Sequence, residues 1–209
     1  AERGGITVFD AANRSVLATL TGHRGRIFDL AISPDQRWLA TASADRVARV
    51  FSLEDLRVEP IEVAHPVEVT ALGFGPTDPV QWERYAGSGR LYSGAADGSL
   101  RTWVAKDGSD LRELRSGHRR AAVITIVASA DGQRIATLGA DRKAFLQTLA
   151  GPPSELAAQD TGTTSLALAR NGIVTGGSDN AVRVWNVGTG SLERTLTAPG
   201  GTLHAVTLS

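Results

Sequence analysis

A short hairpin pattern occurs four times along the chain. Residues 39–52 (LATASADRVARVFS), 91–104 (LYSGAADGSLRTWV), 135–148 (IATLGADRKAFLQT) and 173–186 (IVTGGSDNAVRVWN) share one order of residue types. Each runs an apolar pair or near-pair into Ser or Thr, two small residues, a variable position and Asp, and then into a second, mostly alternating strand. The marker aspartates Asp45, Asp97, Asp141 and Asp179 stand 52, 44 and 38 residues apart. That averages about 45, within the period of four-stranded repeat units.

The chemistry of the pattern is that of a tight β-hairpin. Asp-Gly, Asp-Asn and Asp-Arg tolerate turn dihedrals. Val182 and Val184 alternate with Arg183, which gives one buried and one wetter face. The small residues before each Asp let neighbouring strands approach closely. Upstream of each hairpin lies another strand-like run, at 26–33, 67–74, 123–129 and 164–169, and a fourth run follows downstream, as at 191–196. No long amphipathic helix period is present, so the expected class is all-β.

Composition narrows the function. Hydrophobic residues make up 42% and charged residues 21%, as in a soluble globular chain. Lys+Arg and Asp+Glu are both 22, so no net field draws the chain to nucleic acid or to an anionic membrane. The longest strongly apolar run, 121–128, is too short to span a bilayer, and no signal-peptide pattern opens the sequence. Without cysteine there is neither a disulfide framework nor a Cys-ligated metal, which fits a cytoplasmic protein. Methionine is absent too, so a fragment or a processed chain is expected. Arg outnumbers Lys 20 to 2, a bias consistent with a GC-rich bacterial source.

The motifs resemble the WD40-repeat β-propeller family over essentially the whole chain. They are Gly22-His23, Ser33-Pro34-Asp35, Asp45, Gly117-His118, and Trp103 and Trp185 in the second hairpin strands. The resemblance implies a buried network joining a loop His, a strand Ser/Thr, the turn Asp and a Trp. Thr41, Ser93, Thr137 and Thr175 each stand four residues before a marker Asp, and His23, His65 and His118 occupy the loop position. Only the second repeat carries the full set, His65, Ser93, Asp97 and Trp103; Phe51 and Gln147 replace Trp in the first and third, and the fourth has no loop His. Half-built polar networks are costly, so the second blade is expected to be the firmest.

The expected organisation is a WD40 propeller segment. It has four complete four-stranded blades at about 21–63, 64–115, 116–158 and 159–196, with a partial blade at each end, 1–20 and 197–209. Residues 196–209 align without a gap on residues 20–33, so 203–209 reads as the first strand of a further blade. Either that strand joins residues 4–20 to close a fifth, strand-poor blade, or the chain is an arc of a larger propeller. The arc is the preferred reading, although an open arc exposes apolar faces and unpaired edges.

Catalytic constellations are weak. The sequence has no Gly-Lys pair for a P-loop, no His-Glu-x-x-His and no Gly-x-Ser-x-Gly. Ser178-Asp179-Asn180 lacks a Ser-x-x-Lys companion and matches the other turns. The histidines and marker aspartates repeat at fixed positions, which makes them scaffold rather than metal ligands or a carboxylate ring. Asn13-Arg14-Ser15 spells a glycosylation sequon of no evident consequence. No cofactor and no metal are expected.

Propellers bind through loops on a rigid scaffold. In the resembled family, the loop before the first strand and the hairpin turn share one partner-binding face. The matching candidates are Arg24, Arg26, Phe28, Glu68, Thr70, Arg119, Arg120, Ile124 and His204. A second candidate is the long loop 75–89 with Trp82 and Tyr85, on the opposite face. The expected function is a non-enzymatic scaffold or sensor that binds a protein or peptide. An alternative is the regulatory C-terminal region of a larger bacterial kinase or NTPase, in contact with other blades or domains of that protein. An enzyme using the central channel has only Glu68 and His204 to point to, on non-adjacent blades. Balanced charge argues against nucleic acid, with the Arg24, Arg26, Arg119 and Arg120 cluster as the one contrary feature.

Overall fold

Each marker Asp closes a turn built the same way. The structure, a computed structural model, describes residues 4–75, 89–129, 131–156, 162–168, 172–197 and 206. In the first hairpin the Arg46 N–H donates to the Ser43 carbonyl (3.2 Å), and Arg46 takes a left-handed conformation at φ 67°. Gly98, Arg142 and Asn180 repeat it at φ 85°, 60° and 62°. This is a type I turn followed by one left-handed residue, a common three-residue hairpin loop. The Asp carboxylate accepts the N–H two residues on in all four turns: Val47 (3.1 Å), Ser99 (3.0 Å), Lys143 (3.1 Å) and Ala181 (3.2 Å). Glycine is needed at 98, where a Cβ would collide with the His118 carbonyl oxygen. Arg46 and Arg142 hold the same conformation against steric cost. Arg142→Gly is therefore expected to raise stability by about 0.5–1 kcal/mol, read as a higher urea midpoint.

These hairpins form the middle of four-stranded antiparallel sheets. The first is β3 (Ile27–Ile32), β4 (Trp38–Ser43), β5 (Val47–Ser52) and β6 (Ile61–Ala64). The second is β7 (Val69–Gly75), β8 (Arg90–Ala95), β9 (Leu100–Val104) and β10 (Arg112–Leu114). The third is β11 (Val123–Ala128), β12 (Arg134–Gly139), β13 (Ala144–Thr148) and β14 (Ser154–Glu155). The fourth is β15 (Thr163–Leu168), β16 (Gly172–Gly177), β17 (Ala181–Asn186) and β18 (Leu192–Thr197). Ahead of them β1 (Ile6–Phe9) and β2 (Val16–Leu20) form a two-stranded sheet among the described residues. No helix occurs among the described residues.

The core lies between sheets rather than within them. Ala40, Ala42 and Val50 of the first sheet pack with Leu72 and Phe74 of β7. Tyr92 of β8 packs with Ile126 and Ala128 of β11. Leu138 of β12 packs with Leu166 of β15. Gly73 marks how close the inner strands come: a Cβ there would lie 2.7 Å from the Ile126 carbonyl oxygen.

One irregularity repeats with the fold. The pairing of the first strand with the second skips one residue in every complete sheet: Phe28, Thr70, Ile124 and Thr164. Such a β-bulge turns its side chain out of the ladder.

Candidate interaction face

The bulges sit where the loop before the first strand meets the hairpin turn. The residue ahead of each marker Asp donates its N–H into that loop: Ala44 to the Arg26 carbonyl (2.9 Å), Ala96 to Glu68 (2.9 Å), Ala140 to Ala122 (2.8 Å) and Ser178 to Gly162 (3.2 Å). Loop and turn therefore lie at one end of every sheet. At that end Phe28 is 41% and Ile124 48% exposed, although Ile124 has complete sheets on both sides. The Arg26 guanidinium stands 5.7 Å from the Phe28 ring centre, in cation–π range. Arg24, Glu68, Arg119 and Arg120 are exposed alongside. Thr70 differs. It is half-buried, and its hydroxyl donates to the Val123 carbonyl (2.6 Å) of the next sheet, so it braces the scaffold. A cleft of about 530 Å³ beside Arg119 is lined by Asp141, Lys143, Phe145 and Glu155 among others. Trp82, Tyr85 and His204 lie outside the described residues.

Beneath the face the polar network is built three different ways. In the first sheet His23 Nδ1 lies 2.9 Å from Asp45 and 2.6 Å from Arg49 Nη1, and Nε2 lies 2.6 Å from the Thr41 hydroxyl. Asp45 also accepts from the Arg24 N–H (2.9 Å) and from Arg49 Nη1 (2.8 Å). Arg49 is buried and bonds Glu62 through Nε (2.8 Å). Burial opposes the charge on Asp45, but these donors win and hold its carboxyl far below the usual carboxylate range. In the third sheet His118 joins Asp141 (3.2 Å) to Thr137 (3.0 Å), and Phe145 meets the His118 ring edge to face. Burial lowers the pKa of His23 and His118, against the pull of their aspartates. The fourth sheet, without a loop His, gives Asp179 to Arg183 (2.5 and 3.2 Å), and Trp185 Nε1 donates to Thr175 (2.9 Å).

The second sheet corrects an expectation. It carries His65, Ser93, Asp97 and Trp103, yet they do not form one network. The His65 Nδ1–H donates to the Val63 carbonyl (3.0 Å) rather than to Asp97, and Nε2 accepts from Ser93 (2.7 Å). Asp97 is exposed and caps its own turn, and Trp103 Nε1 has no hydrogen-bond partner among the described residues. The residue before the His explains this. Gly22 adopts φ 127°, which lets the loop leave the strand and deliver His23 to Asp45. Ala64 instead continues β6 up to His65, leaving the ring beside its own strand. The second blade is therefore not the one with the most complete network; the first is.

The network also holds residues that the motifs did not flag. Arg49 and Arg183 pair with the Asp four residues earlier, and Arg101, at the same spacing from Asp97, bonds Glu113 (2.8 Å) and the Ala64 carbonyl (3.2 Å). The spacing Asp-x-x-x-Arg in three hairpins was the signal. The two tryptophans offer a comparison. Trp185→Phe breaks a buried hydrogen bond and Trp103→Phe breaks none, so the former is expected to cost about 1–2 kcal/mol more, measured as the difference in unfolding free energy.

Among the described residues no group of three or more His, Asp or Glu side chains could hold a metal ion, and no helix is long and apolar enough to cross a membrane. Residues 14–52 match the family model "WD domain, G-beta repeat". The chain is 24% identical over 195 residues to rat apoptotic protease-activating factor 1, covering 91% of this chain and 14% of that protein. It is 32% identical over 91 residues to human tRNA (guanine-N(7)-)-methyltransferase non-catalytic subunit WDR4, covering 43% and 20%. It is 30% identical over 149 residues to yeast ribosomal RNA-processing protein 9, covering 69% and 23%. The chain thus spans about a quarter or less of the length of these relatives, all of them eukaryotic. A chain in the crystal structure of a mitotic checkpoint complex superposes with a TM-score of 0.77 at 19% identity, over 96% of this chain and 60% of that one. The chain carries a WD40 repeat at residues 14–52 and has the fold of a WD40 β-propeller segment.

Proposed function

We propose that the chain is a non-catalytic interaction module that binds a protein or peptide on the face built from the loops before the inner strands and the hairpin turns. The carrying observation is the repeated bulge, which turns Phe28 and Ile124 outward at one end of the sheets. An exposed aromatic with an arginine over its ring is the chemistry of a binding hot spot. Arg24, Arg119 and Arg120 would favour a partner with acidic groups; the cleft beside Arg119 also presents Asp141 and Glu155.

The test is affinity capture with the natural full-length polypeptide, wild type against Arg26→Glu/Phe28→Ala. A partner held on this face is expected to bind about thirtyfold more weakly to the double variant, as for loss of a hot spot. Equal recovery of every partner would remove this face. Binding that fell steeply with salt would point instead to nucleic acid.

A second reading, a regulatory region inside a larger multidomain protein, draws support from the small share of each relative that the chain spans. The excess of Arg over Lys supports a GC-rich bacterial source for such a protein, and a cytoplasmic location goes with the lack of cysteine.

A further inference from the structure

The third sheet lacks a charge that the other three carry. Four residues after the marker Asp stand Arg49, Arg101 and Arg183 in the first, second and fourth hairpins, and Phe145 in the third. The carboxylates that receive the guanidinium are nevertheless kept. Directly across on the outer strand lie Glu62 for Arg49, Glu113 for Arg101 and Glu155 for Phe145. Residues so opposed share one side of the sheet. The Arg49 guanidinium bonds Asp45 through Nη1 (2.8 Å) and Glu62 through Nε (2.8 Å), and Arg101 bonds Glu113 (2.8 Å). Asp141 and Glu155 are the third sheet's copies of Asp45 and Glu62, without a guanidinium of their own sheet between them.

Phe145 takes only the inner part of the place that Arg49 takes. Its buried ring lies against the loop before β11: the His118 ring meets it edge to face with centres 4.8 Å apart, and a Cβ on Gly117 would lie 2.4 Å from it. A Cβ on Gly22 would likewise meet Arg49, 3.4 Å from Nε. Outside Phe145 opens the cleft of about 530 Å³, bounded by Asp141 and Glu155 and, from the loop, by Ser116, Gly117 and Arg119. Asp141 bonds His118 (3.2 Å) and the Lys143 N–H (3.1 Å). Glu155 meets Lys143 Nζ at 3.0 Å, but these side chains are 38% and 50% exposed, and an ion pair so open to water is worth little.

We infer that this cleft receives an arginine side chain of a partner protein. The guanidinium takes the place that Arg49 holds in the first sheet. It bonds Asp141 and Glu155, displaces Lys143 from Glu155, and rests on the part of Phe145 that lines the cleft, an aromatic surface suited to a planar, weakly hydrated cation. Lysine fits less well, because a strongly hydrated point charge cannot fork between two carboxylates. Arg119, exposed at the edge, repels a lone cation and attracts an acidic neighbour, so the segment that fits carries Arg beside Asp or Glu. The inference rests on the reading of the chain as an interaction module, and on neither Phe28 nor Ile124.

The test is saturation-transfer NMR on the natural full-length polypeptide, with N-acetyl-Arg-Glu-amide at millimolar concentration as the probe and its citrulline-Glu and Lys-Glu forms beside it. Transfer to the arginine side-chain protons is expected, with the citrulline form binding about tenfold more weakly for want of the charge. Glu155→Gln is expected to weaken the arginine form about fivefold, the upper range for an exposed pair. Phe145→Arg supplies the missing guanidinium from within and is expected to abolish binding. Glu155 is exposed, so its variant decides the matter even where Phe145→Arg fails to fold. Equal binding of the citrulline form would overturn the inference, since the acid alone, on Arg119, would then hold the probe. Equal binding of the lysine form, undiminished binding in Glu155→Gln, or no transfer at all would overturn it as well. The probe is read without the natural partner, so failure of the cleft leaves the Phe28 face standing, and failure of that face leaves the cleft.

Discussion

Asp45→Ala is expected to lower stability by about 3–5 kcal/mol, the cost of leaving a buried charge without its partner. Asp45 stands opposite Arg49, whose side chain is 7% exposed, and their 2.8 Å contact is the inner half of that guanidinium's neutralisation. The outer half, Glu62, is 53% exposed and more strongly screened by water. The same substitution also strips the acceptor from the His23 ring and from the Arg24 N–H. Asp97→Ala, at the matching position of the next sheet, removes only a turn cap, and a cost of about 1 kcal/mol is expected. Urea unfolding of the two variants checks the contrast. Equal costs would mean that the marker Asp acts through its turn everywhere and that the ion pair adds nothing.

Acidification is expected to lower stability between pH 6.5 and 4, before Asp45 gives up its own contribution. His65 is buried, and desolvation pushes its pKa from 6.5 down to about 4, outweighing the Val63 carbonyl that favours its charge. A folded-state pKa below the unfolded one means that the unfolded chain takes up the proton first. The stability from neutral His65 is therefore complete above pH 6.5 and is lost as the pH falls towards 4. The loss from this group is about 3 kcal/mol. His23 and His118 shift in the same direction and add to it. Below that window Asp45, depressed rather than raised, gives up its own contribution as it protonates. Unfolding curves between pH 7 and 4 measure the slope. In His65→Gln the slope should be shallower; an unchanged slope would show that His65 is not the titrating group.

The parts of this fold that were legible are those whose cause is local. A type I turn with one left-handed residue asks for Asp followed by Gly, Asn or a tolerated Arg, and that demand is written at each hairpin. The loop–turn face could be placed because it repeats with the turns. The bulge at Phe28, Thr70, Ile124 and Thr164 was not visible as such, since a skipped pairing depends on the partner strand. The split of the His65 network is not legible in the residue types, which are all present. What decided it was Ala64 in place of Gly, a matter of backbone path rather than of composition. Arg49 and Arg183 are legible only through their spacing of four residues from Asp45 and Asp179, since neither occupies a motif position.

Phe28 and Ile124, turned out by the repeat itself, carry the account. Side-chain footprinting by hydroxyl radicals on the natural polypeptide, free and with its captured partner, tests the face most directly. The account predicts that Phe28 and Ile124 are reactive in the free protein and protected in the complex. Reactivity unchanged by the partner would contradict it.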